Sequence, residues 1–329
     1  MKTTLVSVII VTWNSAKTLP RCLEALLAQT FREFEVILVD NGSTDGCTDG
    51  LESRYPALDL TLLPLEENRG YAAANNLAAR QSKGEWLALL NADAYAEPDW
   101  LACLLNAAQR QPGFTSFASM LLMADDPQRL DGEGDVYHAS GLAWRRNHGM
   151  PVETPGTEGE VFSACGAAAF LRRETFLQVG GFDEQYFAYH EDVDLGFRLR
   201  LHGHRCIYVP SARVNHVGSA STGWRSPASI YYGHRNLVWT FFKNMPFWLM
   251  LLFLPAHLTM TLFYLAYFTL SGKGHTIWKA KLDALSMLPK ILQGRVMIQS
   301  ARKVNGLQIY PHINKSGLFL HWVERVRSV

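Results

Sequence analysis

The stretch Trp86-Leu-Ala-Leu-Leu-Asn91-Ala-Asp93-Ala-Tyr-Ala-Glu-Pro98 decides how this chain is read. The apolar residues from Trp86 to Leu90 suit a buried strand, and Pro98 suits the start of a helix. Asp93 falls just past the carboxyl end of that strand, where open α/β sheets bind their ligands. A carboxylate there is either an ordinary helix N-cap or a ligand for a hard divalent cation that in turn holds a diphosphate. The run by itself leaves both open, and its neighbours decide.

Three earlier runs repeat the pattern. Leu5 to Val11 is apolar and β-branched and stops at Thr12-Trp13-Asn14-Ser15, and Phe34 to Val39 stops at Asp40-Asn41-Gly42-Ser43-Thr44-Asp45-Gly46. Leu58 to Leu63 leads to Glu67-Asn68-Arg69-Gly70. Between the first two, Leu19, Cys22, Leu23, Leu26 and Leu27 follow helical spacing. Strands alternating with helices predict a mostly parallel sheet with right-handed crossovers, covered on both faces. All four polar turns then gather at one sheet edge, which is the geometry of a nucleotide site.

Five motifs stand in order: Val6-Ser-Val-Ile-Ile-Val-Thr-Trp-Asn-Ser15, Val39-Asp-Asn-Gly-Ser-Thr-Asp-Gly46, Glu67-Asn-Arg-Gly-Tyr-Ala-Ala-Ala-Asn-Asn76, Asn91-Ala-Asp93 and His190-Glu-Asp-Val-Asp-Leu195. With them, roughly residues 5 to 220 resemble the inverting family 2 glycosyltransferases of the GT-A fold, and most of all the bacterial rhamnosyltransferase branch. The resemblance implies an α/β, GT-A type Rossmann-like sheet with flanking helices. It implies a catalytic domain over 1–225, with a nucleotide-binding half (1–110) and an acceptor half (111–225).

Residue roles follow by match. Thr12 and Asn14 are expected to line a nucleoside, and Asp40 to accept the ring N–H of a uracil or thymine; a turn-forming role is the alternative for Asp40. Asn68 and Gly70 open a helix whose start favours anions. Asn75 and Asn76 are poor interior helix residues and are expected either to touch the nucleotide-sugar or to pack in the interior. Relatives carry Asp-x-Asp where this chain has Asn91-Ala-Asp93. Asp93 is therefore the expected carboxylate for Mg2+ or Mn2+, Asn91 contributing hydrogen bonds only. His216 is the expected second ligand, against the alternative of a half-buried strand-end histidine.

Asp192 is the expected general base, with Glu191 beside it, both at a helix start where capping is the alternative. On that helix Val193, Phe197 and Arg200 share a face, so Leu195, Phe197 and Leu199 are expected to differ in burial. Residues 124 to 160, rich in Gly, Pro, Asp and Glu with Trp144, Arg145 and Arg146 interleaved, read as an irregular insertion. Arg205 to Val209 and Ala212 to Asn215 read as two strands.

Residues 226–329 are expected to form a helical membrane-associating region. Met245 to Leu270 contain no Asp, Glu, Lys or Arg, long enough at ~39 Å to cross a hydrocarbon core of about 30 Å. Pro255 is expected to kink or split that helix. The ten Lys or Arg after residue 270 argue for a segment lying in the interface, because a single span would export them. The expected location is the cytoplasmic face of the inner membrane, peripheral or monotopic, with a polyprenyl-linked saccharide as acceptor and a nucleotide-sugar as donor. A formal net charge of +1 gives no electrostatic footprint for nucleic acid. Five cysteines without C-x-x-C spacing are expected to be reduced thiols. Two further readings remain: a sugar-phosphate nucleotidyltransferase, and an inactive membrane scaffold of the same fold.

Overall fold

The computed structural model describes residues 4–152, 156–218 and 226–316. The first half alternates as expected: β1 (Val6–Thr12), α1 (Leu19–Leu27), β2 (Phe34–Asp40), α2 (Leu51–Arg54), β3 (Leu60–Pro64), α3 (Gly70–Gln81) and β4 (Trp86–Leu90). The strands β4, β1, β2 and β3 lie side by side and parallel. Each strand splits its side chains between two cores. Val6, Val8 and Ile10 of β1, with Trp86, Ala88 and Leu90 of β4, enter the core on one face; Ile9, Leu87 and Leu89 enter the other. Burial on both faces explains why these strands read as continuous apolar runs.

The turn after β4 carries a short strand, β5 (Ala94–Ala96), before α4 (Trp100–Arg110) begins two residues past Pro98. The second half extends the same sheet with β6 (Ser116–Met123), β7 (Leu130–Gly132), β10 (Gly159–Val161), β11 (Ala168–Arg172) and β12 (Cys206–His216), while β8 (Asp135–Tyr137) and β9 (Ala143–Arg145) pair separately. The segment expected to be an irregular insertion is thus ordered into short strands, with Leu130, Asp131, Glu133 and Asp135 buried. The two strands expected before His216 are one, parallel to β6, with a register shift between Val209 and Arg213 that accommodates Pro210.

Helices α5 (Arg173–Gln178) and α6 (Glu191–Leu201) follow β11. Every residue of α6 except Asp192 is buried, which corrects the expected contrast among Leu195, Phe197 and Leu199. The reason is a second core. Leu195 and Leu199 join the core on the sheet, while Val193, Phe197 and Leu201 meet Phe241, Met245, Leu249 and Phe253. Those partners come from α7 (Pro227–Asn244) and the residues after it, α8 (Phe247–Phe268).

Helix α8 runs through Pro255 without a break. Leu249, Phe253, His257 and Phe268 are its buried residues, His257 stacking on Phe241 and donating from Nδ1 to the Ser140 carbonyl at 2.9 Å. Leu251, Leu258 and Leu262, at helical spacing on the other side, are exposed by 52%, 51% and 66%. After a break at Ser271 and Gly272 the chain continues as α9 (Gly274–Ser286), α10 (Leu288–Ala301) and α11 (Gly306–Ile309). Phe268 packs with Ile230 of α7 and Ile277 of α9, so α8 is tied to the body near both of its ends. Arg325 and Arg327 of the basic tail lie outside the described residues.

Candidate active site

Parallel register brings the polar turns together, setting Thr12 beside Asp40 and Asp40 beside Pro64. Asn14, at φ +51°, accepts the Thr44 N–H at 2.8 Å, while its own N–H donates to Ser43 Oγ at 3.0 Å. Asp40 accepts from the Ser43 N–H at 2.9 Å and the Thr48 hydroxyl at 2.8 Å. The turn-forming role is therefore real, and each carboxylate oxygen keeps a lone pair for a ligand. Asn41 and Asn68 lock the second turn to the third: Asn41 Nδ2 donates to Asn68 Oδ1 at 3.0 Å, and Arg69 N–H to Asn41 Oδ1 at 2.9 Å. Asn68 Oδ1 also accepts the Gly70 N–H at 2.9 Å. Gly70 is required twice over, by φ +86° and because a Cβ would sit 2.6 Å from the Phe187 carbonyl.

Two residues expected at the nucleotide are buried. The Thr12 side chain is buried with its hydroxyl 3.7 Å from Cys47 Sγ, so it supports the turn from within. Asn75 is buried too, and its Nδ2 donates to the Tyr71 carbonyl at 2.9 Å inside α3. Asn76 is likewise committed, clamping Phe182 through its N–H and carbonyl at 2.8 Å each. The covering segment 179–187 is what buries this face of α3, and its position is not encoded locally.

Past β4, Asp93 Oδ1 lies 3.4 Å from His216 Nε2, and Asn91 Nδ2 lies 3.5 Å from the same nitrogen. The other ring nitrogen, Nδ1, is 2.7 Å from Asp131 Oδ2. Burial opposes a charge on this imidazole, yet Asp131 and Asp93 together hold its pKa above the ordinary value. Asp131 is in turn paired with Arg145 and, at 3.3 Å, with His148; burial opposes its charge, but Arg145 and these histidines hold its carboxyl far below the usual range. Nε2 turned to a carboxylate, with a second carboxylate behind Nδ1, is how an imidazole is oriented to ligate a metal. Among the described residues no group of three or more His, Cys, Asp or Glu forms a cage. Two protein ligands that leave positions for a diphosphate and waters fit Mg2+ or Mn2+.

The carboxylates of the second centre meet the first through two adjacent residues. Asn91 N–H donates to the Ala167 carbonyl at 3.0 Å, and Gly166 N–H donates to Asp192 Oδ2 at 2.9 Å. Asp192 Oδ1 accepts the Val193 N–H at 2.8 Å, and the residue is partly exposed. Glu191 is buried, with Oε2 unpartnered among the described residues; burial first, and the Asp192 carboxylate second, push its pKa well up. Asp135 is raised for the same two reasons, its Oδ2 accepting from the Ser163 hydroxyl at 2.8 Å. Arg145 feels Asp131, Asp135 and Asp192, and so stands between the two centres.

Sequence reading missed Asp131, Asp135 and Arg145 as site residues, and it gave no role to Asp194 or Asn236. Asn236 of α7 directs its carboxamide Nδ2 to three carbonyls, of Tyr186 at 3.0 Å, Ala188 at 2.9 Å and Tyr189 at 2.7 Å. These belong to the loop that enters α6, where Phe187, Tyr189 and His190 all have φ between +65° and +68°. Left-handed backbone at non-glycine residues costs of order 1–3 kcal/mol each and needs such support.

The architecture is that of the GT-A glycosyltransferases. A mannosyltransferase from Pyrobaculum calidifontis, solved with GDP-Man and Mn2+, is 21% identical with TM-score 0.54, the match covering 85% of this chain and 86% of that one. GalNAc-T7, solved with UDP, GalNAc and Mn2+, is 21% identical with TM-score 0.59, over 72% of this chain and 47% of that one. The family model for glycosyl transferase family 2 matches residues 7–180, and the chain belongs to that family. Asp93 lies inside the matched stretch; Asp192 and His216 lie beyond it. The N-acetylglucosaminyl-diphospho-decaprenol L-rhamnosyltransferase of Mycobacterium tuberculosis is 34% identical over 264 residues, 74% of this chain and 85% of that protein. The chain is therefore a glycosyltransferase, and the nucleotidyltransferase reading is not favoured.

Proposed function

We propose that this glycosyltransferase moves a sugar, L-rhamnose from its dTDP nucleotide in first place and a UDP-linked sugar in second, to a hydroxyl of a lipid-linked glycan, with inversion at the anomeric carbon. The reading rests on one arrangement: Asp93 with His216, and Asp192, are joined through Gly166 and Ala167. In this reading Asn14, Asp40, Asn68 and Gly70 receive the nucleotide, within a catalytic domain spanning 1–225. Asp93 and His216 would hold the divalent cation, and Asn91 would donate a hydrogen bond beside it. When bound, the cation neutralises charge on the departing nucleoside diphosphate.

Asp192 takes the proton of the acceptor hydroxyl as its oxygen bonds to the anomeric carbon and the carbon–phosphate-oxygen bond on the opposite side breaks. Glu191, pushed toward its protonated form, is the poorer base. An inactive scaffold has no need of a histidine oriented toward Asp93. The test is calorimetry of dTDP- and UDP-sugars with and without Mn2+. Asp93→Ala and His216→Ala are each expected to weaken Mn2+-dependent nucleotide binding by at least tenfold and to leave the Mn2+-free signal unchanged. Equal nucleotide binding with and without metal in the wild type would remove both residues from the role.

The membrane part of the reading is supported by α8, which is long and apolar enough to cross a membrane yet has its Leu249, Phe253 and His257 stripe against the catalytic body. A helix tied to the catalytic body near both of its ends lies on a bilayer more readily than through it. Trp248 and Trp278 are exposed, as are Lys290, Arg302 and Lys303, which suits anionic headgroups on the cytoplasmic face. Leu258→Glu with Leu262→Glu is expected to reduce sedimentation with anionic vesicles several-fold at unchanged thermal stability. Undiminished sedimentation would place the contact elsewhere.

A further inference from the structure

Between Asp192 and the apolar helices stands a set of basic side chains with no part in the chemistry above. His190 precedes α6, His234 is on α7, and Lys281 is on α9. Lys281 is 6% exposed, and its Nζ donates to the His234 carbonyl at 3.0 Å; no carboxylate pairs with it among the described residues. The Nδ1 atoms of both His190 and His234 are buried and have no hydrogen-bond partner among the described residues. The ring of His234 sits against Tyr264 and Phe268 at the end of α8, at centroid distances of 4.7 Å and 5.2 Å.

The three groups sense one another. Burial first, and then Lys281, lowers His234 to about 3, and burial lowers Lys281 to about 8. His190 is lowered to about 4 by burial and Lys281, against the pull of Asp192. Nearby cations are already spent: Lys279 is bound to Asp283 at 2.7 Å, and Arg235 Nη2 donates to the Tyr186 carbonyl at 3.0 Å. A buried amine that no carboxylate pairs with among the described residues, beside two imidazole nitrogens without partners among them, is a costly arrangement that an incoming anion would relieve.

We infer that His190, His234 and Lys281 form the subsite for the diphosphate of the lipid-linked acceptor, an inference that rests on the function proposed above. The order in space supports it. His234 contacts Tyr264 and Phe268 on the body-facing side of the end of the apolar helix α8, and His190 is two residues from Asp192. So short a step from phosphate-binding group to base selects an acceptor whose reacting sugar is attached directly to the diphosphate, with no further sugars between. Each donor N–H aimed at a phosphate oxygen also fixes where that sugar's hydroxyl lies relative to Asp192.

The experiment uses the full chain in detergent micelles and farnesyl diphosphate as the probe, read by calorimetry. Lys281→Gln and His234→Gln are each expected to weaken its binding by at least tenfold, and Lys281→Arg to retain most of it. Binding of dTDP with Mn2+ is expected to be unchanged in all three, which also reports that each variant is folded. Farnesol and inorganic pyrophosphate, each lacking half of the ligand, are expected to bind more weakly than farnesyl diphosphate. Wild-type affinity for farnesyl diphosphate in Lys281→Gln and His234→Gln would overturn the subsite, and so would pyrophosphate binding as tightly as the lipid. Failure of the donor reading is seen separately, as a wild-type protein that takes up neither dTDP nor UDP with Mn2+.

Discussion

Asp192→Asn is expected to lower transfer by about 10²–10⁴-fold, the usual worth of a positioned general base, while nucleotide affinity stays within experimental error. The amide keeps the size of the carboxylate and its contact with the Gly166 N–H through the remaining oxygen. What it loses is the capacity to take a proton from the acceptor. Glu191→Gln makes the sharper comparison. Burial and the charge of Asp192 already favour the protonated Glu191, so a neutral amide replaces a neutral acid and most activity is expected to survive. A Glu191→Gln enzyme as inactive as Asp192→Asn would reverse the assignment.

The largest loss of stability is expected at Asp194, two residues further along. Its carboxylate is fully buried and accepts from Arg198 Nε at 2.8 Å, Lys243 Nζ at 2.6 Å, Asn244 Nδ2 at 2.7 Å and the Tyr186 hydroxyl at 3.2 Å. One side chain thereby joins α6 to the end of α7. Asp194→Ala strands the charge of buried Arg198 and leaves Lys243 only its pair with Asp183 at 2.7 Å; it is expected to cost about 3–5 kcal/mol, a fall in melting temperature of roughly 4–7 °C for a chain of this length. Burial alone would raise this carboxyl, but Arg198 and Lys243 outweigh it and hold it at about 2. A depressed folded-state value means the contribution is complete above the unfolded value near 4 and is lost as pH falls toward 2. Wild type and Asp194→Ala should therefore differ most in denaturant midpoint at neutral pH and converge at the acid end. A constant difference down to pH 2 would show that the carboxylate's charge is not what holds the helices together.

The legible and illegible parts of this molecule divide on a physical line. The first four strands announce themselves because both of their faces are buried, which leaves no polar alternation to blur the apolar run. Their turns, rich in Asn, Asp and Gly, are equally plain, since turn chemistry is local. Asp93 and Asp192 are expected from motif order and His216 from its match to relatives. Asp131 is not, because it matters only after β7 pairs with β6 and brings it behind His216. Asp194 was visible as an acid in the first turn of a helix, but its partners Lys243 and Asn244 are about fifty residues away. Periodicity misjudged α6 for a related reason: a helix covered from the sheet and again from α7 has no solvent face to set a phase. The burial of Thr12 and Asn75 was equally out of reach of local reading, since Cys47 and the covering of α3 decide it.

The carboxamide of Asn236 reaches the carbonyls of Tyr186, Ala188 and Tyr189 from a helix that belongs to the C-terminal part of the chain. Exchange of C-terminal segments between relatives therefore cannot be cut cleanly at residue 226. A graft that brings its own α7 must also bring the 186–190 turn with which that helix was matched, or the strained backbone leading into Asp192 will lose the carboxamide that holds it.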